Sequence, residues 1–283
     1  MTSTNFQIYW DSVNIGGEDT STSTNFRLRD TIGEHGSGTS TSANFRLSAG
    51  YRVGDVQDPF LTFSIGTQEN ATEVAYSAFS NAGKTVTVSS ASGYSVGDYI
   101  GVVEDKGLSQ LIVTGKITDI TGSVLTVDSW SGEPASLSAS PGGSDDFVYR
   151  MSGYTAALGV QSVSTGKVSF THTNVTTNAS NGYSVMVQSD GDLRVSTSTV
   201  ITKVSDGTVT VGTEEYGGEV VGSLAVGTGG DFAFSSTSTR TVQESATYGN
   251  NDRVGLMYKL AIGTGTPSGN YQQIVTFTST ANY

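Results

Sequence analysis

Only two histidines, His35 and His172, occur in this 283-residue chain, and there is no cysteine. That inventory narrows the covalent chemistry at once. A serine hydrolase needs a histidine beside its nucleophile, and a thiolate nucleophile or cysteine zinc site needs residues the chain lacks. His35 lies in a glycine-rich turn with no partner motif. His172 continues the alternating face of Val168 and Phe170, as a packed or rim residue of a strand would. No Gly-x-Ser-x-Gly elbow, phosphate loop or dinucleotide fingerprint is present. The residues point away from an enzyme.

Oxygen-rich turns are the second chemistry to weigh, because such loops hold Ca²⁺. Asp190 and Asp192 flank Gly191, and the pairs Asp145 with Asp146 and Glu214 with Glu215 stand in similar turns. None has EF-hand spacing, so Asp190 and Asp192 remain weak Ca²⁺ candidates against a solvated turn, and no other cofactor or metal is expected. A carboxylate pair for glycoside hydrolysis would have to be assembled by the fold, which spacing cannot show. Asn70, Asn174 and Asn178 head sequences with the form of N-glycosylation acceptors, a form that arises by chance in a chain so rich in Asn and Thr. Trp10, Trp130 and Tyr94 could stack on surface glycans, and each suits a core equally well.

The elements that would carry these residues are strands. Gly, Ser, Thr and Val dominate while the residues of helical surfaces are scarce, so almost no α-helix is expected. Hydrophobic residues make up 35% of the chain and aromatics 9%, enough for sheet cores. A net charge of −12 argues against nucleic acid, whose phosphates need clustered Lys and Arg. No run approaches about 18 apolar residues, so no membrane span is expected. The first residues lack a basic and then apolar leader, so an exported chain would have lost its signal before Met1, or never needed one.

Residues 44–53 form the clearest strand. Phe45, Leu47, Ala49, Tyr51 and Val53 share one face, with Arg46, Ser48, Gly50 and Arg52 on the other. This is the third copy of a repeat, because related Asn-Phe openings end at Phe6, Phe26 and Phe45, 20 and 19 residues apart. One such unit cannot bury both faces, so the copies stack on one another, pack on their own domain, or complete a sheet in a neighbouring subunit. Phe6, Ile8 and Trp10 offer a second, shorter strand of the same kind.

Asp58 followed by Pro59 marks a boundary. We therefore expect an N-terminal β-repeat arm over residues 1–57, a main β-sandwich over 58–83 and 131–283, and an inserted small β module over 84–130. Expected strands of the module cover 85–88, 99–103, 111–113 with 116–117, and 124–127. Those of the sandwich begin at 60–65 and include 168–172, 183–187, 193–195, 209–211, 232–234, 254–262 and 274–283. That spacing suits a sandwich of about seven to nine strands.

The turn running from Val96 through Gly97 and Asp98 to Ile100 resembles that of small barrel modules inserted in viral structural proteins and bacterial surface proteins. The phrases at residues 176–187 and 267–283, with the Ser-Thr-Asn-Phe repeats before them, resemble secreted surface β-sandwich proteins of candidate-phylum bacteria. Their ends are similar to spore-coat-U-like and pilin-like domains. The resemblance spans about 190 residues and leaves out 84–130. It implies export, an Ig-like or pilin-like sandwich, and a structural or adhesive role at the cell surface, with an extended arm filling a groove in the next subunit. An arm of 57 residues exceeds one donor strand, so part of it must fold alone or bridge several subunits.

These readings converge on a non-enzymatic, extracellular subunit of a filament, pilus or surface layer. Its partner is itself, through a donor strand drawn from Phe45, Leu47, Ala49, Tyr51 and Val53, or from Phe6, Ile8 and Trp10. Burial would contribute roughly 1.5 to 3 kcal/mol per large side chain before ordering costs. The alternatives are a virion subunit such as a tail fibre or decoration protein, and a carbohydrate-binding adhesin.

Overall fold

A computed structural model describes residues 59–283 and, before them, the backbone of four short strands. The chain divides into two units, Met1–Asp58 and Pro59–Tyr283. In the first, β1 (Ser21–Thr22) pairs with β2 (Arg27–Leu28), and β3 (Gly38–Thr41) with β4 (Arg46–Ala49), both antiparallel. Leu47 of β4 lies opposite Ser40, and Ala49 opposite Gly38.

The second unit is built of sixteen strands and one 3₁₀ turn, Asn70–Thr72. Their order is β5 (Leu61–Gln68), β6 (Val74–Ser80), β7 (Thr85–Val88), β8 (Tyr99–Glu104), β9 (Leu111–Thr121), β10 (Val124–Val127), β11 (Ser131–Gly132) and β12 (Phe147–Gly153). Then follow β13 (Lys167–Thr177), β14 (Tyr183–Ser189), β15 (Arg194–Ser196), β16 (Thr199–Val200), β17 (Glu215–Val221), β18 (Arg240–Ser245), β19 (Gly249–Ala261) and β20 (Val275–Ala281). The described residues form an all-β fold without an α-helix, and every ladder between named strands is antiparallel. Among them no helix is long and apolar enough to cross a membrane.

Six strands pair in a closed cycle: β6 with β7, then β10, β9, β8, β12, and back to β6. Alternation explains the cycle. In β7 and β10, Val86, Val88, Leu125 and Val127 point inward between threonines, and Ile100, Val113 and Val148 join them in one buried cluster. The far end of β12 pairs with β5, which opens a sheet in the order β5, β13, β19, β17. Facing it is a second sheet, β18, β14, β20. Between them lie Val175, Tyr183, Val185, Val220, Leu256 and Tyr258, with Val275 and Phe277 packed alongside.

Strands β13 and β19 are buried on both faces, which is why Val254–Ala261 reads as an unbroken apolar run around Lys259 rather than an alternation. One face meets the second sheet. The other meets the ring, through Phe170, Met257 and Val221 against Val103, Ile112 and Tyr149. A charged pair ties the same two bodies. The Arg253 guanidinium of β19 donates to both Asp128 carboxylate oxygens at 2.9 Å and to the Ser129 carbonyl at 2.7 Å.

His172 sits at this junction, 1% exposed, its ring 4.7 Å from that of Tyr99. It fits there because residue 66 of β5 is glycine. A Cβ at Gly66 would overlap the Met151 carbonyl oxygen and come within 2.5 Å of His172 Cε1. Gly66→Ala is therefore expected to lower stability by about 1–3 kcal/mol, as overpacking of a closed core does. A urea unfolding midpoint equal to wild type would show that the junction yields freely.

Candidate functional site

Among the described residues, two strand edges lie open near each other. β20 pairs with β14 along its whole length, from Val275 opposite Ser189 to Ala281 opposite Tyr183, and no described strand pairs with its other side. β5 pairs with β13 from Leu61 to Thr67, but its opposite side meets β12 only at Thr67 and Gln68. Edges of this kind present unpaired N–H and C=O groups at every second residue. Main-chain groups left there are obligatory donors and acceptors.

A cavity of about 920 Å³ opens between these edges. Ile65 and Thr67 line it from β5, and Val275 and Phe277 from β20. Leu193, Ile201, Tyr216, Tyr258 and Leu260 also line it. Alternation positions the β20 residues, since Thr276, Thr278 and Thr280 face solvent while the residues between them turn inward. Tyr154 and Val160 stand at the cavity 82% and 92% exposed, an unusual amount of uncovered apolar surface for one place.

The cavity carries no charge. No Asp, Glu, Lys or Arg lines it among the described residues. Burial pushes the Tyr258 hydroxyl up to about 12, partly offset by a hydrogen bond to Thr171, and raises Tyr216 further. Both phenols therefore stay neutral at ordinary pH. Thr67 and Thr171 satisfy each other at 2.8 Å. Two lining acceptors are left over, because Gln161 Oε1 and Gln273 Oε1 are buried without a hydrogen-bond partner. Their amide nitrogens are engaged, Gln161 Nε2 with the Leu158 carbonyl at 2.8 Å and Gln273 Nε2 with the Gly191 carbonyl at 2.5 Å, which fixes which atom is orphaned. Such a site suits an uncharged ligand with apolar groups and N–H donors.

Comparison with protein-family models, with curated proteins and with solved structures finds no match to the chain, so its functional reading rests on residues and geometry.

Of the strand residues singled out by sequence, Leu47 and Ala49 fall on the backbone of β4. Phe45, Tyr51, Val53, Phe6, Ile8, Trp10 and His35 lie outside the described residues. Asp190 is ion-paired with Arg194 at 2.8 Å and accepts the Ile274 N–H at 2.9 Å, while Asp192 pairs with Lys203 at 2.6 Å. Each of these carboxylates already faces a cation. Asp145 and Asp146 gather with Asp105, whose carboxyl burial and the neighbouring acids push up, but both Asp146 oxygens already accept backbone N–H groups.

Glu214 accepts from Thr202, and Glu215 from the Thr210 N–H. Trp130 donates its indole N–H to the Ser80 carbonyl and packs on Phe79, and Tyr94 is buried with its hydroxyl on Val148, so both serve a core. Asn174 is 7% exposed and bonded to Tyr99, which closes it to glycosylation. Sequence reasoning missed the groove itself, whose walls come from positions 65 to 277. The alternation of residues 274–283 marks one wall, β20, but not its open edge.

Proposed function

We propose that this chain is a non-enzymatic structural subunit of an extracellular filament, pilus or surface layer, assembled when a strand from the arm of one copy completes the groove of the next. The uncharged cavity between the open edges of β5 and β20 carries this reading. An inserted strand would pair with both edges, bury alternate side chains, and bring N–H groups to the stranded glutamine oxygens. In this reading the two facing sheets are a pilin-like β-sandwich and the closed six-strand cycle is a small barrel module inserted in it.

The arm supports the same conclusion from its own side. β3 and β4 pair in a two-stranded sheet, an arrangement marginal alone in water, and no described strand pairs with the other edge of β4. Phe45, Leu47, Ala49, Tyr51 and Val53 supply the alternation such a groove needs, on or beside β4. A joint of this kind is heterologous, so it propagates into an open polymer unless its rotation closes. Electron microscopy should show polymers of the full chain and none of a Leu47→Asp, Tyr51→Asp variant. Polymers of unchanged form from that variant would remove the arm as connector.

A further inference from the structure

The strand pairing of β12 with β5 stops at Gly153, opposite Thr67, although β5 runs on to Leu61 with no described strand on that edge. The chain then crosses the cavity as an irregular segment, residues 154–161, all of which line it. Within the segment Ala156 and Leu158 pack against the core cluster, while Thr155, Ala157 and Gly159 between and beside them are exposed. That is the side-chain alternation of a strand without its ladder. No backbone N–H of residues 155–160 donates a hydrogen bond to any described residue. The segment is held by side-chain amides instead, Asn70 Nδ2 on the Ala157 carbonyl at 2.9 Å and Gln161 Nε2 on the carbonyls of Leu158 and Gly159. Gly159, at φ 67°, allows the backbone to turn in the left-handed region.

We propose that residues 154–160 are a resident plug: Ala156 and Leu158 cover part of the groove in the unassembled subunit and are displaced when a donor strand enters, while Gln161 stays in the wall. The inference rests on the strand-complementation reading and concerns the regulation of that site. Its physical basis is a mismatch. The plug covers apolar surface with two small to medium side chains but satisfies no edge group, whereas a true strand does both. Segments held by few buried contacts and no main-chain bonds open at low free energy. While it stays in place, only the fraction of molecules with the plug out can bind, and apparent affinity falls by that fraction.

The test uses the full-length chain carrying Leu47→Asp and Tyr51→Asp, which on this reading cannot donate its own strand. A dye-labelled synthetic peptide of residues 44–54 is titrated in, and anisotropy gives the apparent Kd. Leu158→Ser, added to that chain, is expected to tighten Kd about tenfold, the scale of one half-buried leucine contact removed from the competing state. Ala156→Leu is expected to weaken it by a similar factor, and Val96→Ser, exposed and outside the cavity lining, to leave it unchanged. General damage to the fold would weaken binding in both core-facing variants, so opposite signs separate displacement from misfolding. Peptide binding that is unchanged or weaker in Leu158→Ser overturns the plug and leaves strand complementation standing. A peptide that binds none of these chains overturns both.

Discussion

Asp128→Ala is expected to destabilise the domain by about 3–5 kcal/mol, the range seen when one member of a buried ion pair is removed. The Arg253 side chain is 1% exposed, so without its carboxylate the guanidinium would be left charged and out of reach of water. The reverse change is milder. Asp128 is 27% exposed, and Arg253→Met leaves a carboxylate that solvent can reach and a side chain that fills the same space, for a loss of about 1–2 kcal/mol. Urea unfolding of both variants measures the asymmetry. Equal losses would mean that the pair, rather than the burial of one partner, sets the energy. Burial pushes the Asp128 carboxyl up, but the hydrogen bonds and charge of Arg253 outweigh it and hold it below the ordinary 3.8. A depressed acid stabilises the fold above its unfolded value, so this contribution is lost as pH falls below about 3.8.

Acidification from pH 6.5 toward 4.5 is expected to remove stability through His172. Burial, with a smaller push from Arg253, lowers its pKa from 6.5 to about 3. The folded state thus keeps the ring neutral where the unfolded chain would bind a proton. Stability from this group is complete above 6.5 and declines continuously down to about 3, by roughly 4 to 5 kcal/mol over the whole interval. Glu69 and Glu73, both lowered from 4.5, add to the loss only below that value, while Glu133, raised from 4.5, opposes it. Comparison with His172→Phe cancels these other groups. Unfolding free energies at pH 7, 5.5 and 4.5 should converge between the two proteins as pH falls. Parallel curves would show that the ring protonates inside the fold without penalty. Arg253→Met should also raise the pKa of His172, because it removes the cation that helps keep the ring neutral.

Much of the strand content was legible because the period of two survives wherever one face is wet. β7 and β10 fall where the alternation of Val and Thr puts them, β14 runs two residues beyond the expected 183–187, and β20 lies within the expected 274–283. Where both faces are buried or the strand is polar, the signal fails. β17 lay outside the expected strands, because Gly217 and Gly218 interrupt its apolar pattern. They are strand residues whose missing Cβ atoms make room for Val204 at 2.6 Å and Phe234 at 2.7 Å. β18 was missed for its polar sequence, and β6 and β12 because neither alternates cleanly, so the ring reaches beyond residues 84–130 at both ends.

The opposite error occurred at 209–211 and 232–234, where apolar residues suggested strands. Val209, Phe232 and Phe234 are indeed buried, but their backbone runs as loop with at most a single bridge, at Phe232. Burial alone produced the pattern. The groove was illegible for a different reason, since an open edge is a property of which strands meet, and no local period records it.

Strand β12 belongs at once to the closed cycle, through β6 and β8, and to the open sheet, through β5. One covalent strand therefore acts as a spar common to both bodies, and neither can swing about a hinge without shearing a main-chain ladder. A force applied at β5 would pass into the cycle along hydrogen bonds rather than through a flexible tether. The two bodies respond to load as one stiff piece.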